Sequence, residues 1–244
     1  IIAALEQCNL EMYIHGRSLA SITPSMSHKI LLMATRYCGP EKERHQKNLQ
    51  SIQQFEVEVT LDPDTAHPAL ILSADGKRVH DGDVRQNLPN NPEGFHKCVN
   101  VLGKQGFTRG KFYFQVQVKG KTAWALGVAR ESVKRKGNVS TNPKTGYWTI
   151  MLTDEDEYQA NEDDQVCLSL KSQPEKVGVF VDYEEGLVSF YNSDTAEHLY
   201  SFTGFCFTEN LLPYFSPCTN DSGKNSAPLI ICPVNRTEVT NMLI

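Results

Sequence analysis

The chain has 244 residues, of which 40% are hydrophobic and 22% charged, and its formal net charge is −5. That size and composition fit one large globular domain with an extension. The acidic balance argues against nucleic acid as the main ligand, because phosphate neutralisation needs a basic face. The most apolar runs, Ile1 to Leu5 and Ile30 to Ala34, fall far short of the roughly 20 residues of a spanning helix, so no membrane span is predicted. The chain opens on Ile rather than Met and is read as part of a longer product.

Residues 1–54 read as an N-terminal extension. Positions 1–40 carry no functional signal, lack the strand period and are not expected to be needed for the fold. After the Gly39-Pro40 break, the polar stretch 41–54, with Leu49 and Ile52 three apart, predicts a short helix. It could end a coiled coil, although sustained heptads are absent.

From Phe55 the pattern changes to short strands divided by turn residues. Strands are predicted over 69–73, 77–80 and 98–102. Over 112–119, Phe112, Phe114, Val116 and Val118 alternate with Tyr113, Gln115, Gln117 and Lys119. Trp124, Leu126 and Val128 repeat that period. Gly120-Lys121 between the two runs predicts a hairpin. Further strands are predicted over 147–153, 177–181, 187–191, 199–203, 212–215 and 228–232, with Tyr183 to Gly186 as a turn. Many short strands and no strong helical period imply an all-β fold, a two-sheet antiparallel sandwich with a short helical N-terminal extension.

Gly120-Lys121-Thr122 ends like a phosphate-binding loop, but Gln115 stands where that loop needs a glycine, and a strand follows instead of a helix. There is no Gly-x-Ser-x-Gly and no local Cys/His signature. His67, His80, His96 and His198 stand at no motif spacing from carboxylates and read as surface or capping residues. The seven cysteines are scattered without CxxC spacing, which encodes no zinc site; they are expected to be buried, reduced thiols. The acidic runs 154–157 and 162–164 lack the glycine of a calcium loop and read as solvated loops, or as a rim favouring a basic partner. No catalytic residue, metal or cofactor is predicted. A sandwich carrying polar loops is instead the physical basis of a binding module.

The strand motifs carry a family resemblance. Leu61-Asp-Pro-Asp-Thr-Ala66 followed by Leu70-Ile-Leu-Ser73 resembles the opening of the PRY-SPRY (B30.2) domain. Gly110-Lys-Phe-Tyr-Phe-Gln-Val-Gln-Val118 is similar to its signature, with Tyr113 where the family usually has Trp. Trp124 to Arg130, Arg135-Lys-Gly137, Gly146-Tyr-Trp-Thr-Ile150, Val177 to Asn192, Pro213-Tyr-Phe-Ser-Pro217 and Pro228 to Pro233 continue the match. The resemblance covers about 55–235, divided near 108 into PRY and SPRY parts, and leaves 236–244 as a tail. It implies a concanavalin-like jelly roll.

The chain resembles the C-terminal domain of tripartite-motif (TRIM) ubiquitin ligases, especially the bloodthirsty-like group of fishes. The resemblance implies a cytoplasmic protein-binding module that selects the target of such a ligase in innate immune defence. The parent would be dimeric through an upstream coiled coil. An alternative it also implies is the ligand-sensing end of a NACHT-containing immune receptor. By position, the family's binding surface falls on Ala125, Met151, Thr153, Asp154, Glu155, Thr219, Asn220 and Asp221. Ala125, Met151, Thr153 and Thr219 lack the acidic and aromatic anchors of the antibody-Fc-binding member, so no comparable Fc binding is expected. Asp154 and Glu155 would repel the diphosphate that butyrophilins hold. The partner is expected to be a protein of unidentified nature.

Overall fold

The computed structural model describes residues 44–86, 91–137, 140–153 and 156–234. The chain divides into two compact units, Ile1–Ser51 and Ile52–Ile244. Residues 44–53 are helical, and Leu49 and Ile52 are buried.

Beyond the helix come β1 (Leu70–Leu72), β2 (Arg78–Asp81), β3 (Val101–Leu102), β4 (Lys111–Gln117), β5 (Trp124–Arg130), β6 (Tyr147–Thr153) and β7 (Glu157–Ala160). They are followed by β8 (Val166–Cys167), β9 (Lys176–Asp182), β10 (Leu187–Asn192), β11 (His198–Phe202), β12 (Leu211–Ser216) and β13 (Leu229–Cys232). Among the described residues these form two antiparallel sheets. One has the order β1-β2-β13-β4-β9-β10-β11, the other β3-β12-β5-β6-β7-β8.

The alternation has a direct structural cause. Side chains on successive strand residues point to opposite faces, and one face of each sheet is turned to the other sheet. Phe112, Phe114 and Val116 of β4, with Val177, Val179 and Val181 of β9, enter one apolar core. Trp124, Leu126 and Val128 of β5, with Trp148, Ile150 and Leu152 of β6, enter the same core. Burying one such side chain is worth about 1.5–3 kcal/mol. A second, smaller cluster lies on alternate residues of the six-stranded sheet: Leu102, Ala125, Ala129, Tyr147, Leu212 and Tyr214, with Phe95 and Val133.

One detail differs from the sequence reading. Gly120-Lys121 does not close a hairpin. β4 pairs with β9 and β13, while β5 pairs with β12 and β6, so the turn carries the chain from one sheet to the other. Alternation alone reports which residues point inward and cannot say whether two inward runs are neighbours or face each other. The other face of β4 is partly covered as well: Tyr113 and Gln115 are buried. The Tyr113 hydroxyl meets Ser193 Oγ at 3.1 Å, and Gln115 Nε2 donates to the Pro233 carbonyl at 2.8 Å. Gly178, which pairs with Gln115, lies under the tyrosine, where a Cβ would fall 2.3 Å from the Tyr113 hydroxyl, so this ring occupies space that only glycine leaves open.

The turn predicted at Tyr183 to Gly186 joins β9 to β10 in register. Gly186 has φ +61°, and a Cβ there would sit 1.7 Å from the Phe205 carbonyl oxygen. β7 and β8, short strands among acidic residues, had no legible period.

Candidate protein-binding surface

The start of β5, the end of β6 and the end of β12 lie at one end of the six-stranded sheet. The register sets Ala125 beside both Met151 and Ser216. Met151 in turn pairs with Gln159 of β7, and Gln159 with Cys167 of β8. A cross-strand row therefore runs Ser216, Ala125, Met151, Gln159, Cys167. Ala125 is only 8% exposed, Met151 and Gln159 are half-buried, and Cys167 is exposed. Thr153 ends β6 opposite Glu157, and its Oγ1 donates to the Glu157 carbonyl at 3.3 Å. Asp154 and Glu155 lie outside the described residues.

Thr219, Asn220 and Asp221 belong to the loop between β12 and β13. The loop is organised by one side chain, Asn225, only 2% exposed. Its Oδ1 accepts from the backbone N–H of Thr122 and Ala123 at 3.0 and 3.3 Å. Its Nδ2 donates to the carbonyls of Ala123, Pro217 and Thr219 at 3.0, 2.9 and 3.0 Å. One amide thus ties the β4–β5 turn to the β12–β13 loop. Lys121, 7% exposed, adds a second tie through Nζ to the carbonyls of Ala227 (2.9 Å) and Asn225 (3.3 Å). Burial pulls its pKa down to about 8. The lysine of the rejected phosphate-loop reading is therefore a structural clamp.

On the other side of the loop, Asn220 N–H donates to Asp81 Oδ2 at 3.1 Å, and Asn220 Nδ2 donates to Asp83 Oδ2. Asp81 Oδ1 and Asn220 Oδ1 are buried without a hydrogen-bond partner. The backbone is left-handed at Asp83, Cys218, Asp221 and Ser222, none of them glycine. The loop is thus held in a backbone shape that its own residues disfavour, with Thr219 and Asp221 on its exposed side. Ala125, Met151 and Thr153 are joined by strand pairing, and the loop carrying 219–221 leaves β12 beside Ala125. Asn225, Asp81 and Gln159 are not singled out by the sequence, and Lys121 is read there only as a turn residue and as part of the rejected phosphate-loop motif. A lone Asn or Lys in a loop gives no periodic signal, and its role exists only through backbone atoms about a hundred residues away.

The titratable groups support no catalytic reading of this end. Among the described residues no group of three or more His, Cys, Asp or Glu could hold a metal ion. His67, expected at the surface, is buried. Its Nδ1 accepts from the Ala69 N–H at 3.2 Å, and burial lowers its pKa. The cysteines also depart from expectation: Cys98, Cys167 and Cys206 are exposed, and Cys218 and Cys232 are half-buried. Cys232 shows one reason: it lies in a strand whose alternate residues Leu229 and Ile231 take the buried face, which leaves the thiol on the outer one. The run 162–164 lies in the exposed loop between β7 and β8, where Asp163 pairs with Lys144. No helix among the described residues is long and apolar enough to cross a membrane.

A two-sheet scaffold presenting a loop-built, polar end is the usual framework of a recognition module. The model of the SPRY domain matches residues 111–230, and that of the SPRY-associated domain, PRY, matches 59–107. The chain belongs to the PRY-SPRY (B30.2) family, and this domain is a non-catalytic protein-interaction module. It is 49% identical over 176 residues to the erythroid membrane-associated protein of Homo sapiens, covering 72% of this chain and 37% of that protein. It is 46% identical over 179 residues to the E3 ubiquitin-protein ligase TRIM21 of Bos taurus, covering 73% and 38% respectively. The solved TRIM65 PSpry domain shares the fold, with a TM-score of 0.62 at 23% identity over 75% of this chain and 94% of that one. The chain spans less than two fifths of the length of these two curated relatives.

Proposed function

We propose that this domain is the target-recognition end of a TRIM-type E3 ubiquitin ligase acting in the cytoplasm in innate immune defence. The observation that carries the reading is the similarity to E3 ubiquitin-protein ligases over most of the chain, 73% of it for the bovine TRIM21. In this reading the partner is a protein, met by the surface around Ala125, Met151, Thr153, Asp154, Glu155 and Thr219 to Asp221. The parent chain is held as a dimer by a coiled coil upstream of 44–53. Asn225 and Lys121 hold the loop still before binding, which lowers the ordering cost that a mobile loop would add.

The test combines the full-length product with its target. Proteins captured by the isolated domain are offered to the full-length chain in a ubiquitin-transfer assay, with wild-type surface and with Met151, Thr153 and 219–221 exchanged. Transfer that depends on this surface supports the proposal. Transfer unaffected by the exchange moves the site elsewhere. A full-length chain that lacks zinc-binding Cys/His pairs and carries a nucleotide-binding module would overturn the ligase reading.

A further inference from the structure

Two cysteines that the binding surface does not use flank the join of β3 and β12. The strands pair Leu102 with Tyr214 and Val101 with Phe215. Cys98 and Cys218 each lie three residues beyond the last pair of this ladder, where the Asn100 N–H donates to the Cys98 carbonyl at 2.8 Å and the extended pairing ends. Gly103 N–H donates to the Pro213 carbonyl at 2.8 Å, which makes 103/213 a hydrogen-bonded pair. The neighbouring pair Leu102 and Tyr214 is therefore of the non-bonded kind, with Cα atoms about 4.5 Å apart.

The local contacts hold the two segments together past the end of the ladder. Ser216 Oγ donates to the Val99 carbonyl at 3.2 Å and lies 3.9 Å from Cys218 Sγ. The Tyr214 hydroxyl lies within the electrostatic reach of both thiols, and Cys98 in turn acts on Cys218. Cys98 is exposed, Cys218 is half-buried, and both thiols are free. Cys218 has φ +55°, so its backbone turns out of the strand direction where the loop begins.

We propose that Cys98 and Cys218 are a modification site, a dithiol that closes to a reducible disulfide on exposure to a peroxide and fastens the 217–226 loop to the chain leading into β3. The exposed Cys98 reacts first. Its sulfur takes one oxygen from hydrogen peroxide, the O–O bond breaks, and water leaves behind a sulfenic acid. The Cys218 sulfur then attacks the Cys98 sulfur. The S–S bond forms as the S–O bond breaks, and the hydroxide leaves with the Cys218 proton as a second water. Two thiols and one peroxide become one disulfide and two waters, with the peroxide as the two-electron oxidant. The bond needs no ligand, so its formation is independent of what the loop binds.

The test uses the purified full chain, reduced, freed of reductant and treated with one equivalent of hydrogen peroxide. Remaining thiols are then alkylated and the peptides mapped without reduction. The expected result is a monomer with a 98–218 linked peptide. Free thiols fall from the seven of the sequence to five and return with dithiothreitol. Cys98→Ser should abolish the linked peptide. It replaces an exposed side chain, so the variant keeps its fold even if Cys218→Ser does not. Oxygen adducts on Cys98 without a linked peptide, a different intramolecular pair, or a disulfide between two chains would each overturn the proposal.

Discussion

Between the sheets, Phe114, Leu126, Trp148, Val179 and Phe215 meet through side chains alone, in a core that gains with every apolar group it excludes from water. At the loop end, five hydrogen bonds converge on the single amide of Asn225, and two more on Lys121. The core is non-directional and redundant. The loop end is directional and depends on two side chains. The contrast teaches that the scaffold and the surface it presents can fail separately, and that a change at the loop end can alter recognition while leaving the sandwich folded.

The comparison can be broken most forcefully from the core side. Trp148 is fully buried, with Phe205 and Phe207 against its ring and the Arg130 guanidinium 5.3 Å from the ring centroid. Trp148→Ala should lower stability by about 3–5 kcal/mol, read as a shift of the urea midpoint. Loss of less than about 1 kcal/mol would mean that the core is not what holds the sheets.

Asn225→Ala is the matching change at the loop end. It strips partners from the N–H groups of Thr122 and Ala123 and from three carbonyls, at a cost of about 1–3 kcal/mol. Hydrogen exchange should quicken at 122–123 and 218–224 while amides of β4 and β9 keep their protection. Uniform loss of protection would show that the two regions unfold as one.

Lys121 gives a pH dependence. Its folded pKa of about 8 lies below the unfolded value of roughly 10.4, so in that window the unfolded chain binds more protons. Lys121 therefore penalises folding below pH 8, and the penalty is relieved as pH rises from about 8 towards 10. Tyr147 and Tyr200, pushed up to about 12 with burial as the main cause, act the other way above pH 10, where the unfolded chain ionises first. Thermal melts at pH 7 to 10 should show the gain in the wild type and not in Lys121→Met. A parallel rise in both proteins would assign it to other groups.

The smallest effects are expected at the exposed contact positions and in the extension. Thr219→Ala should change stability by less than about 0.5 kcal/mol while weakening capture of the partner. Deleting residues 1–40 should leave the melting temperature unchanged; a large drop would make that segment part of the fold.

The sequence by itself determined the class of fold, because a period of two on strands with one buried face is a local consequence of the pleat. Phe112 to Val118, Trp124 to Val128 and Val177 to Val181 were legible for that reason, and the motif string 110–118 with 213–217 and 228–233 sufficed for the family. Only the tertiary structure decided which strands are neighbours. Gly120-Lys121 looks like a hairpin turn and is a crossing between sheets, because period alone does not encode pairing. Only the tertiary structure, too, decided what holds the loop end. Asn225 reaches the backbone of 122–123 across about a hundred residues, Lys121 is clamped to 225 and 227, and Cys98 comes within electrostatic reach of Cys218. These are contacts of single side chains without period or motif, and they exist only once the sheets have folded.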